Sequence, residues 1–307
     1  MKKLLLVAAL ALSTAAFAQS NVTVGGEVRM FEDNTKVGSG PSVTRMVSDQ
    51  SHIGFKASED LKNGLSVNVN VDTFVAVNAP AAASFGDFQS TLGVSSKFGS
   101  IDFGRKKSVL ATTADAADAF GTKYGSTFAT IHNLQTVRLD NGVFVKSASF
   151  GGFQAEYDYG QSNTAGVAGT TAAGASYTAF GGNVHYAYQG EKATGARTSL
   201  VGVGYTVPGV KTVIGYDHSN SYAVAGAART QGDSFTVTQP IWTILSVKGT
   251  YGQSKTDGVV GNVKAYSVGA VYTLSKRTAI EAAYTNVNAF GTIADSRSFG
   301  AGLTHSF

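Results

Sequence analysis

Along most of the chain, apolar and polar positions alternate instead of recurring every three or four residues. LSVNVNVD (65–72) sets Val67, Val69 and Val71 against Asn68, Asn70 and Asp72. QSHIGFKAS (50–58) groups Ile53, Phe55 and Ala57, with His52 and Lys56 opposite, and NVTVGGEVRMF (21–31) groups Val22, Val24, Val28 and Met30. The last nine residues do the same: Phe299, Ala301, Leu303, His305 and Phe307 share one face, and Gly300, Gly302, Thr304 and Ser306 the other. A period of two is the signature of a strand with one apolar face. A strand that runs to the final carboxylate must pair with a neighbour, because chain ends that nothing holds fray.

Sixteen such segments recur between residues 21 and 307. Short connections such as 59–64, 97–100, 150–152 and 275–277 alternate with longer ones at 32–49, 161–173, 218–231 and 253–262. One connection, 106–135, has no clean alternation. Long loops of that kind inside compact proteins are usually functional. No domain boundary interrupts the hairpin rhythm.

Composition decides which kind of all-β protein this is. The 307 residues are 43% hydrophobic and 14% charged, too apolar for disorder and low in charge for a soluble domain. MKKLLLVAALALSTAAFA has two lysines, a short apolar run and small residues before Ala18, so residues 1–18 read as a cleaved export signal; the run is too short for a membrane anchor. The expected mature domain is 19–307, its formal charge falling from +4 to +2 without Lys2 and Lys3, which argues against a nucleic-acid partner. There is no cysteine, so disulfide and thiolate chemistry are excluded. No apolar run after residue 18 could cross a bilayer as a helix, yet the apolar half of each strand must be covered. A closed antiparallel barrel of 16 strands in an outer membrane resolves this, because alternating strands can face lipid on one side only.

Candidate chemistry is sparse. His52, His132, His185, His218 and His305 are not at metal-ligand spacing with one another or with a carboxylate, and no nucleophile elbow or P-loop is present. No catalytic residue, metal or cofactor is expected.

Several stretches resemble the trimeric porins of Neisseria and other β-proteobacteria. SHIGFKASEDLKNGLSV (51–67), FQSTLGVSSKFGSIDFGRKKS (88–108), TVRLDN, SFGGFQAEYDYG, YTLSKRTAIEAAYTNVNA and the terminal GLTHSF carry the likeness. It implies a homotrimeric, passive, water-filled channel for ions and small hydrophilic solutes. It also implies outer-membrane lipid and lipopolysaccharide as surroundings, and a terminal Phe307 read by the barrel-assembly machinery. The loop near 77–87 is expected to latch onto a neighbouring subunit.

The resemblance also makes 106–135 an inward-folded third loop that narrows the channel. Its carboxylates, Asp115 and Asp118, are expected to face basic wall residues Arg138 and Lys56, unless both merely cap a short helix. Arg138 is inside by alternation, between outward Val137 and Leu139. His52 and Phe88 stand where the family pattern has arginines, so the basic ladder is weaker and a strong anion preference is in doubt. Glu27, Arg29, Asp140 and Lys146 are further lumen candidates by phase. Two rivals remain: a substrate-selective channel, disfavoured by a single Trp and by the outward phase of Tyr266, Tyr272 and Tyr284, and a barrel enzyme or adhesin.

Overall fold

The computed structural model describes residues 20–61, 63–79, 84–134, 137–288 and 294–307. The expected export segment, 1–18, lies outside them, as do residues 80–83 of the proposed latch. The strands in chain order are β1 (Ser20–Val37), β2 (Ser42–Ser48), β3 (His52–Asp60), β4 (Leu65–Phe74), β5 (Gln89–Ser96) and β6 (Gly99–Lys107). Beyond the third loop come β7 (Arg138–Ser147), β8 (Phe153–Gly160), β9 (Thr170–Ala179), β10 (Gly182–Glu191) and β11 (Arg197–Thr206). The remainder are β12 (Val213–Tyr222), β13 (Thr230–Trp242), β14 (Leu245–Thr256), β15 (Val263–Ser275), β16 (Thr278–Asn288) and β17 (Ser296–Ser306).

These 17 segments make 16 barrel strands. The lower part of β1 pairs with β3, from Ser20 opposite Glu59 to Glu27 opposite His52, and its upper part pairs with β2, from Met30 opposite Ser48 to Lys36 opposite Ser42. β2 and β3 are therefore two halves of one strand, broken at residues 49–51, where Gln50 has a φ of 53°.

All pairings are antiparallel, and the ring closes between β1 and β17, from Glu27 opposite Ser306 to Val37 opposite Ser296. Phe307 completes the seam by exchanging backbone bonds with Gly26 (3.1 and 3.2 Å). A Cβ at Gly26 would lie 2.8 Å from the Phe307 ring and closer still to the His52 carbonyl, so only glycine fits there. Closure leaves no strand edge with unpaired backbone groups facing lipid.

The barrel is inside-out. Val22, Val24, Phe55, Leu92, Phe103 and Val203 are exposed on the outer face, while Asp72, Thr91, Asp158, Asp217, Thr236 and Thr250 are buried within. Register aligns Tyr216, Phe235, Tyr251 and Tyr266 on four consecutive strands, with Tyr284 and Phe299 paired on the next two. Trp242, Tyr205, Phe153 and Phe98 lie exposed beside the short turns. Two aromatic rows of this kind suit the two bilayer interfaces.

The expected loop at 32–49 is mostly strand: β1 runs to Val37 and only residues 38–41 turn before β2. β12 and β14 likewise continue to Tyr222 and Thr256. Both faces of these extensions carry polar residues, such as Glu32, Asn34 and Lys36 on one face of β1 and Asp33 and Thr35 on the other, so the pairing persists where alternation fades.

Candidate pore constriction

The connection between β6 and β7 turns into the barrel and carries two helices, α1 (Val109–Ala117) and α2 (Phe128–His132). Ser108 caps α1, its Oγ accepting from the Ala111 N–H (3.3 Å). The Val109 N–H donates to the Asp158 carboxyl on β8 (2.6 Å), which satisfies one of the free donors of the helix N-terminus. Leu110 and Ala114 on α1 and Phe128 on α2 pack with Ala187 of β10 and Leu200 of β11, two apolar side chains on the inner wall. Burying Leu110 and Phe128 contributes about 1.5–3 kcal/mol each. His132 is fully buried, one ring nitrogen bonded to Ser219 and the other to Ser234 (both 2.8 Å). Burial pushes its pKa down to about 3, so the imidazole is neutral at ordinary pH.

The loop tip crosses to the far wall. Lys123 pairs with Glu27 on β1 (2.8 Å), and the Tyr124 hydroxyl donates to Asp33 (2.6 Å). The Tyr124 ring stacks on Phe31 (4.2 Å), and its N–H donates to Asp49 (2.8 Å). Burial and the neighbouring Asp33 carboxylate raise the Tyr124 pKa, so the phenol stays protonated and donates. Glycines on the wall make room: a Cβ at Gly269 would meet Phe120 at 2.8 Å, and one at Gly300 would overlap the Tyr124 hydroxyl. The loop thus lies along the wall from β8 to β1, its helices packing on β8–β15 and its tip on β1. Below α1 an open cavity of about 530 Å³ remains, lined in part by Thr112, Thr113, Lys146, Gln154 and Asn183.

The expected constriction residues do not all meet. Asp115 is partly exposed; its carboxylate accepts from Lys107 (2.5 Å) and from the Thr122 hydroxyl. Asp118 is buried on the wall side, where it accepts from the Thr122 N–H (2.9 Å) and the Thr250 hydroxyl of β14 (3.4 Å). Burial raises its pKa. Asp118 therefore ends α1 and holds the next turn, and does not face Arg138 or Lys56. Lys56 lies on the inward phase of β3, exposed, opposite Thr23 and Asn70, and makes no salt bridge among the described residues.

Arg138 reaches the lumen by its length. Leu139, expected outward, is buried, because the register shifts between Gly104 and Lys106 and Asn141 adopts a φ of 47°. The same shift corrects Asp140: it is exposed and held by Arg105, which shares the phase of outward Ile101 and Phe103.

Glu27, Arg29 and Lys146 are inward, but each is neutralised locally. Arg29 makes a two-pronged pair with Glu281 of β16 (2.9 and 3.2 Å), and Lys146 lies 3.4 Å from Glu156. His52 packs on Phe88 (4.3 Å, 13° between rings), Phe74 meets Phe88 edge-on, and the Arg138 guanidinium lies 4.2 Å from the Phe88 ring. Sequence reading missed Lys107, Lys123, Tyr124, Phe74 and Glu281. Lys107 and the pair Lys123–Tyr124, polar residues in the irregular loop, offered the only signal; the others are ordinary wall positions until the register is known.

A family model of the Gram-negative porins matches residues 5–291. The chain belongs to that family. The porin is therefore an outer-membrane protein. It is 34% identical over 123 residues to major outer membrane protein P.IB of Neisseria meningitidis serogroup B, covering 38% of this chain and 37% of that one. It is 31% identical over 115 residues to an outer membrane porin protein of Bordetella pertussis, covering 35% and 30%. The matched segments thus span about a third of those relatives' length. Among solved structures, the porin resembles an anion-selective porin from Comamonas acidovorans (TM-score 0.82, 18% identity, 94% of this chain and 100% of that one). It also resembles the trimer form of OmpT from Vibrio cholerae (TM-score 0.69, 15% identity, 94% and 100%). At such identities these likenesses concern the fold.

Proposed function

We propose that this porin is a passive channel through which ions and small hydrophilic solutes diffuse down their own gradients. The observation that carries this is a closed barrel with a polar interior and a loop folded inside it, leaving an open cavity of about 530 Å³ lined by polar groups such as Thr112, Lys146, Gln154 and Asn183. A solute moving along hydroxyl, amide and paired charged groups exchanges its water contacts at little cost, while the outer face remains apolar for lipid. Because Arg29, Lys107, Lys123 and Lys146 each have a carboxylate partner, the transverse field is weak and selectivity is mild. The buried histidines, His132 and His185, have both ring nitrogens bonded within the protein, which favours a channel over a barrel enzyme.

The channel assembles as a homotrimer through the outer face of β1–β4 and β17. The segment after β4 supports this by folding outward, with exposed Phe85 set against outward Phe55 (6.4 Å). Residues 1–18 direct export, Phe307 is the mark read by the assembly machinery, and outer-membrane lipid with lipopolysaccharide surrounds the barrel. Planar-bilayer recording tests the proposal: ohmic conductance that closes in thirds is expected, and a purified, folded barrel without conductance would overturn it.

A further inference from the structure

Phe74, His52, Phe88 and Arg138 form a continuous stack on the wall that the third loop leaves uncovered. His52 is directly opposite Glu27 on one side and Phe74 on the other, so both rings share the inward phase. Phe88 lies between them and the guanidinium: its ring is 4.3 Å from His52, 4.6 Å from Phe74 at 73°, and 4.2 Å from Arg138, which also lies 5.1 Å from Phe74. All four side chains are partly exposed. The Arg138 Nε donates to the Phe88 carbonyl (2.6 Å), which fixes the plane of the guanidinium. His52 is oriented as well: its Nδ1 is 3.0 Å from the Gln50 carbonyl, which can only accept, so Nδ1 carries a proton and donates.

Arg138 differs from its neighbours in one respect. Lys107, Lys123 and Arg29 each have a carboxylate within ion-pair distance, whereas among the described residues Arg138 has none, and its Nη2 is buried without an acceptor. A cation held over aromatic rings without an ion-pair partner is complementary to a solute that joins a carboxylate to a planar ring. The carboxylate meets the guanidinium, and the solute ring meets the edge or face of an adjacent ring.

We infer that this stack is a selectivity rung for planar aromatic carboxylates, a statement that rests on the channel reading and names the solute class that the same passage favours. An aliphatic carboxylate of equal charge gains the electrostatic attraction but not the ring contact. The ring contact corresponds to about a two- to tenfold preference. Binding of that strength lets the solute enter the rung and leave it, as conduction requires.

The test compares benzoate with cyclohexanecarboxylate, which have the same charge and ring size, the saturated ring being the more hydrophobic. The purified porin is reconstituted in a planar bilayer, and each anion is titrated against the chloride current. Benzoate is expected to half-block at about a two- to tenfold lower concentration than cyclohexanecarboxylate. Phe88→Leu should bring that ratio toward one. Where Phe88→Leu does not fold, Arg138→Lys, which keeps the charge but loses the plane, serves the same comparison. A ratio of one in the unaltered porin, or a ratio unchanged in the variant, overturns the inference while chloride conductance still upholds the channel. Absence of chloride conductance overturns the channel and the rung with it.

Discussion

Asp115→Asn and Asp118→Asn remove the same formal charge from the same loop, yet they should act differently. Asp115 is partly exposed to the passage and balances Lys107, with Arg138 within range of its field. Removing it leaves Lys107 and Arg138 facing permeant ions with one negative charge fewer. At about 5 Å in a water-like medium, one charge changes an ion's energy by about 0.8 kcal/mol, or about 0.5 kcal/mol when screened at 0.1 M salt. Cations and anions move in opposite senses, so the permeability ratio shifts toward anions by about fivefold, roughly 20–30 mV in reversal potential across a tenfold salt gradient. Near 1 M salt the Debye length is about 3 Å and the shift in the ratio falls below about twofold.

Asp118 is buried behind the loop, and burial already disfavours its charged form. Asp118→Asn should therefore leave the reversal potential nearly unchanged. Its effect should appear as gating noise, since the hydrogen bond that holds Thr122 weakens. Reversal potentials of both variants at low and high salt check this. Equal shifts for the two, or no shift for Asp115→Asn at low salt, would refute the placement of the charges.

Three other outcomes are expected. Val69→Asp should lower the yield of folded barrel more than Asn68→Asp, because Val69 lies on the apolar outer face and Asn68 bonds inward to Ser95 (2.8 Å); an unpaired charge on that face is costly whether lipid or a sister subunit covers it. Heat-modifiable electrophoresis reads the yield, and equal yields would mean the strand phase is wrong. Deleting Phe307 removes two backbone bonds to Gly26 and the ring packed over it, so the barrel seam should open at lower temperature; an unchanged melting midpoint would contradict this. Acidification should loosen the third loop: the folded pKa of His132, about 3, lies below the free imidazole value of about 6.5, so the docked loop is fully stabilised above that value and loses stability as pH falls toward 3. Current noise recorded from pH 7 to pH 4 should rise and should lose its pH dependence in His132→Gln. Flat noise in the unaltered porin would count against it.

The barrel itself was legible in the chain. Alternation is a local property, and a strand with water or polar groups on one face and lipid on the other must write it residue by residue. That is why Val67, Val69 and Val71, or Phe299 to Phe307, disclosed their faces without any knowledge of their neighbours. Where a strand rises above the bilayer both faces meet water, the pattern vanishes, and the upper parts of β1, β12 and β14 could be seen only through their hydrogen bonds. Phase also fails wherever an extra residue slips in, as at Asn141, which buried Leu139 and turned Asp140 away.

The lumen was decided by tertiary structure. Asp115 and Asp118 are three residues apart in one loop, and their different fates depend on which side of α1 meets β14 and which meets Lys107. The stack of His52, Phe88, Phe74 and Arg138 draws on four strands or their ends, with up to 86 positions between members. Such contacts follow from the register of the closed ring, a long-range quantity fixed only when every strand has paired, and no window of sequence contains it.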